Sequence, residues 1–188
     1  MQLTAGFVSI MNEMSRLKKL LPIFVLLFGT LYANATAYRT ELTFHGFSWG
    51  TSMEEVIRQM GPPMSRDRID GFVSLIWDNV RVSGYTAFVL AYFSDAGLQG
   101  GVYYFLTHSL DETIRCYAEL QQELLNRYGP TRVLDRITRE LRPYASTWNL
   151  PGGLVRLRVN TRQGDPVTLW YSSPKLTRHV LGEGWAYR

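Results

Sequence analysis

Residues 47–63, FSWGTSMEEVIRQMGPP, decide how the chain is read. Ser52 and Glu55 have the S/T-x-x-E spacing of a capping box, with Thr51 and Glu54 as an alternative frame. Met53, Val56, Ile57 and Met60 fall at i, i+3, i+4 and i+7, one apolar face of a helix. Gly61 tolerates the positive φ of a helix C-terminus, and Pro62 and Pro63 forbid continuation. The spacing predicts a short helix, with Phe47 and Trp49 folded back over its first turn as a hydrophobic staple.

The same grammar returns in residues 109–133, SLDETIRCYAELQQELLNRYGPTRV. Ser109 and Glu112 make a second capping box. Ile114, Tyr117, Leu120, Leu124 and Tyr128 line one face, and Gly129-Pro130 ends a helix of about five turns. Each helix leads into a charged connector containing Arg and Asp, then into a tryptophan strand: SLIWDNV around Trp77 and ASTWNL around Trp148. TAFVLAYFS and QGGVYYFLT follow the first, GLVRLRVNT and PVTLWYSS the second, each pair split by a Gly-containing turn. Leu154, Arg156, Arg158 and Asn160 alternate with Val155, Leu157 and Val159, as in a half-buried strand. The expected fold class is α+β, a duplicated helix plus three-strand antiparallel meander over about 44–106 and 109–173. Both helices are expected on one face of the joined sheet, with a C-terminal tail beyond it.

The start of the chain reads as an address. From Met14, basic Arg16, Lys18 and Lys19 precede an apolar run from Leu20 to Tyr32, and overlapping A-x-A frames follow. This is the layout of a secretory signal peptide over 14–37, cleaved after Ala35 or Ala37. The apolar run falls short of the ~20 residues a spanning helix needs. Residues 1–13 read as an extension from a start codon placed too early. No cysteine sits at the cleavage frames, so no stable membrane anchor is expected after cleavage. The product, residues 38–188, is expected to be a single domain, periplasmic or secreted. It carries 17 Lys and Arg against 15 Asp and Glu, which gives nucleic acid no particular purchase. Cys116 is the sole cysteine, so an internal disulfide is excluded, and its mid-helix position reads as half-buried packing.

The motif F-x-W-G-x-S-x-x-E-V followed by G-P-P, residues 47–63, resembles a group of secreted bacterial domains of uncharacterised function. More distantly, capped helix, G-x-P and strand meander together resemble the small outer-membrane-assembly lipoproteins of the SmpA/OmlA type. The two-repeat layout is similar to that of β-lactamase inhibitory protein. The resemblance spans about Phe44 to Ser173 and implies protein binding in the envelope or outside the cell. The chain departs from the small lipoproteins in lacking a lipobox cysteine and in having two units where they have one.

Sites for chemistry are sparse. His45, His108 and His179 stand 63 and 71 residues apart, so none forms a local metal signature. The acidic pairs Glu54-Glu55 and Asp111-Glu112 sit in first helical turns, where the helix dipole favours them. No nucleophile elbow, P-loop or dinucleotide fingerprint occurs. No catalytic residue, cofactor or metal is therefore expected. Aromatic residues make up 13% of the chain and concentrate in the strand segments. With helices on one sheet face, Arg156, Arg158, Trp170 and Tyr103 are the expected partner-binding residues on the other. The function expected is a non-enzymatic binding module for another envelope or secreted protein. A hydrolase of envelope glycan or peptide and a purely structural envelope component are the alternatives.

Overall fold

The computed structural model describes residues 41–69, 71–131 and 133–182. The expected signal peptide at 14–37, its cleavage frames and the extension at 1–13 lie outside the described residues.

Both capping signals work as spaced. Helix α1 spans Met53–Met60, and the Ser52 hydroxyl accepts from Glu55 N, which selects the Ser52 frame over Thr51. Helix α2 spans Leu110–Tyr128, with Ser109 Oγ accepting from Glu112 N. Gly61 and Gly129 end the two helices at φ 85° and 78°, a region that disfavours residues with a Cβ. No helix among the described residues is long and apolar enough to cross a membrane.

The strands are β1 Ser65–Ile69, β2 Phe72–Val82, β3 Tyr85–Ser94, β4 Gly97–Phe105, β5 Pro143–Leu150, β6 Gly153–Asn160 and β7 Val167–Ser172. A third helix, α3, follows at Pro174–Gly182. All strand pairs are antiparallel, in the order β1-β2-β3-β4-β7-β6-β5. Strands β4 and β7 meet in the middle, from Gly100 opposite Ser172 to Phe105 opposite Val167.

This architecture corrects the expected duplicated helix plus three-strand meander. The molecule is dominated by one continuous seven-stranded sheet with a few helices. Its first half supplies four strands and its second three, and α1 has 8 residues against 19 in α2. The miss has a physical cause in SRDRI, read from its charge as a connector. It is strand β1, paired residue for residue with β2. None of its side chains is buried, so it carries no apolar alternation. Its backbone pairing supplies the stabilisation, and its charges suit a sheet edge that must not recruit another chain. The expected C-terminal tail likewise contains α3, whose Leu176 is buried against the sheet.

One sheet face, with Leu75, Trp77, Val89, Phe105, Trp148, Val155 and Leu157, forms the main core together with Val56 of α1 and Tyr117, Leu120 and Leu124 of α2. In β4, adjacent glycines open both faces. A Cβ on Gly101 would overlap the Phe44 ring on the core side, and one on Gly100 would overlap Leu176 on the other. Phe47 is buried in the main core. Trp49 is partly buried against the same core, and its indole N–H donates to Gly152 O at 2.8 Å, fixing the loop before α1 to the β5–β6 turn.

Candidate functional site

Sheet register decides which residues share a face. Along one row, Ile76, Leu90, Val102, Trp170, Arg156 and Thr147 stand side by side across six strands. The next row is Phe88, Tyr104, Thr168, Arg158 and Ala145. Arg156, Arg158 and Trp170 therefore share the face opposite the main core, all three half-buried. Trp170 stacks on Tyr92 with ring centroids 6.2 Å apart. Phe88 is 36% exposed, and Tyr104 is half-buried beside it. Leu176 of α3 joins Phe72, Leu90, Tyr92 and Val102 in an apolar cluster on this face, so the face is not bare along its whole length.

Tyr103 is the correction. It stands between Val89 and Leu169 on the core face and is 5% exposed. In the run VYYF, neighbouring rings must point to opposite faces, and the register gives the arginine face to Tyr104. A shift of one residue could not be resolved from the alternation of β4 alone, because both of its faces are apolar.

On the core side the structure brings together residues that the sequence keeps far apart. A crevice of about 110 Å³ opens between α2 and the sheet, bordered by the turns at His45 and Ser83. Tyr103 and His45 Nδ1 share a 3.2 Å hydrogen bond, and Ser83 Oγ donates to Glu123 Oε2 at 2.6 Å. Arg127 lies over the Tyr128 ring, 5.3 Å from its centroid. Tyr171 closes the inner wall. Desolvation raises the pKa of both Tyr103 and Tyr171, so both hydroxyls keep their protons at neutral pH. His45 reaches the surface, but the loss of water around its ring lowers its pKa below the usual imidazole value. The crevice lining carries one carboxylate, Glu123, rather than the facing pair that acid–base hydrolysis of a glycan calls for.

Sequence reasoning missed this crevice because its walls come from five separated segments. Only fragments of it were legible locally: the Ser83-Gly84 turn dipeptide and the i, i+4 spacing of Glu123 and Arg127. Cys116, expected half-buried, is fully buried on α2, and desolvation pushes its thiol up to about 12. Among the described residues, no three His, Cys, Asp or Glu side chains cluster so as to hold a metal.

No protein-family model matches the chain, and neither does any curated protein. Two solved structures are similar in outline. One is a DUF4309 family protein, YjgB, from Bacillus subtilis, 13% identical with a TM-score of 0.44, over 74% of this chain and 91% of that one. The other is an extracellular protein containing an SCP domain from Bacillus anthracis, 8% identical with a TM-score of 0.42. That match covers 75% of this chain and about half, 51%, of the other. At these scores neither likeness bears on the fold or the function of this chain.

Proposed function

We propose that this is an exported, non-enzymatic protein that binds an acidic polypeptide segment of another envelope or secreted protein through the Arg156–Arg158–Trp170 face of its sheet. One observation carries the reading. Strands β3 to β7 contain just two charged side chains, Arg156 and Arg158, and both lie on this face beside half-exposed aromatic rings. Arginine and aromatic residues together are the composition of interface hot spots: guanidinium groups take carboxylates in bidentate fashion, and rings supply area at low entropic cost. A signal peptide over 14–37 supplies the route of export.

The test is crosslinking in the native envelope with wild type, Arg158→Glu and Phe88→Ser, followed by identification of the adducts. Neither variant touches the main core, so thermal melts should be unchanged. The expected result is one adduct with an acidic contact segment, present in wild type and lost in both variants. An adduct that survives both changes, or none in wild type, overturns the reading.

A further inference from the structure

We infer that the crevice between α2 and the sheet is a binding site for a small zwitterion, a free α-amino acid the size of glycine or alanine. Glu123 and Arg127 stand at i and i+4 on α2, with the acid first, the arrangement that most favours an ion pair along a helix. Yet among the described residues no ion pair joins them. Ser83 holds the Glu123 carboxylate to one side, and Arg127 lies over Tyr128. Both side chains line the crevice. The site thus presents an anion and a cation one helical turn apart, each able to take the opposite charge of one ligand.

The rest of the lining completes a polar seat. Tyr171 offers a protonated hydroxyl. His45 Nδ1 shares its hydrogen bond with Tyr103 OH, which leaves Nε2 as the ring nitrogen that can meet a ligand. The buried Tyr128 hydroxyl lies within interaction range of the Tyr171 hydroxyl. A volume of about 110 Å³ equals about four waters at ~30 Å³ each, the scale of glycine or alanine and below the ~300 Å³ at which pockets for larger ligands begin.

Backbone conformation points the same way. Phe44 and Phe47 exchange two 2.9 Å hydrogen bonds around His45 (φ 52°) and Gly46 (φ 85°), and Val82 and Tyr85 flank Ser83 (φ 48°) and Gly84 (φ 84°). Both are two-residue turns with positive φ at both positions, for which Asn-Gly or Asp-Gly is the favoured pair. At both turns a less favoured residue occupies the first position, and at both it lines the crevice. Strained conformations of this kind collect at binding sites.

The crevice lies on the opposite side of the sheet from the arginine face, so the two proposals fail independently. The test is NMR titration of the purified protein with glycine, L-alanine, acetate, methylamine and L-tryptophan, with thermal melts of each variant. Glycine and alanine should give saturable shifts at His45 and Tyr171. Acetate and methylamine, each with one of the two charges, should bind about tenfold more weakly or worse, and tryptophan should be excluded. Arg127→Leu and Glu123→Gln should each weaken glycine about tenfold without moving the melt. His45→Asn should hold or raise the melting temperature, since Asn suits the turn, and should also weaken glycine. Acetate binding as tightly as glycine, absence of saturation, or wild-type affinity in Arg127→Leu, Glu123→Gln or His45→Asn overturns the proposal.

Discussion

The stretches from Gly61 to Trp77 and from Gly129 to Trp148 end in the same contact and reach it by different means. In each, the indole N–H donates at 3.0 Å to the carbonyl of the glycine that ends the preceding helix. In the first stretch the intervening chain becomes β1, and its backbone groups are paired along the edge of β2. In the second, residues 133–142 form no named strand and are held largely by side chains. Ser146 Oγ accepts from Asp135 N at 3.0 Å and from Gln121 Nε2 at 2.7 Å, and lies 3.1 Å from Tyr117 OH. Arg142 grips Asp135 through two 2.9 Å bonds and stacks 4.0 Å over the Tyr144 ring. Backbone pairing tolerates exchange of side chains, whereas a buried polar network depends on each member. The first stretch should therefore be robust to substitution and the second fragile.

The largest effects should come from the shared contact. Trp148 is 2% exposed and Trp77 4%, both in the main core. Each Trp→Ala change should cost ~3–5 kcal/mol in urea unfolding, as large-to-small core substitutions do. Each Trp→Phe should cost ~1–3 kcal/mol, because the glycine carbonyl loses its donor while most of the packing remains. A loss below about 1 kcal/mol for either alanine variant would remove that tryptophan from the role and break the parallel.

A second test asks whether α2, which anchors the polar network, gives the molecule an alkaline limit. Desolvation raises Cys116 from 9.0 to about 12 and Tyr117 from 10.0 to about 12. Below pH 9 both groups are protonated in folded and unfolded chains, and their contribution is complete. Between pH 9 and 12 the unfolded chain releases these protons first, so stability falls as pH rises through that window. Tyr103 and Tyr171, also raised by burial, add to the slope above pH 10. Urea midpoints at pH 8, 9.5 and 11 should decrease in that order, and Cys116→Ala should flatten the first interval. An unchanged midpoint at pH 11 would contradict the burial of these groups.

Legibility in the sequence followed the range of each interaction. The helix frames were readable because capping serine, apolar face and glycine stop lie within one short window. Strand β1 was not, because its partner is the backbone of β2 and none of its own side chains is buried. Arg156, Arg158 and Trp170 could be assigned to one face by alternation of two. Tyr103 could not, since β4 is apolar on both faces and only pairing with β7 fixes its direction. The crevice was beyond reach because His45 and Tyr103 are 58 residues apart and Ser83 and Glu123 are 40 apart.

Two buried serines give the finest test of the contrast between the stretches. Ser146, 0% exposed on β5, is the hub of the polar network. Its replacement by alanine leaves the Asp135 N–H and the Gln121 amide short of an acceptor in a buried setting, at a cost of ~1–3 kcal/mol. Ser74, 1% exposed on β2, lies opposite Asp67 of β1, where the backbone does the holding, and its hydroxyl has no hydrogen-bond partner. Ser74→Ala therefore removes a buried polar group that nothing satisfies, and should change stability by less than ~0.5 kcal/mol or raise it slightly. The two variants delete the same atom from equally buried strand positions, so size and burial cancel and the difference reports the network alone. Chemical unfolding of both in one buffer measures it. Equal losses would mean that β1 leans on side chains as much as the second connector does, and the distinction between the two stretches would fall.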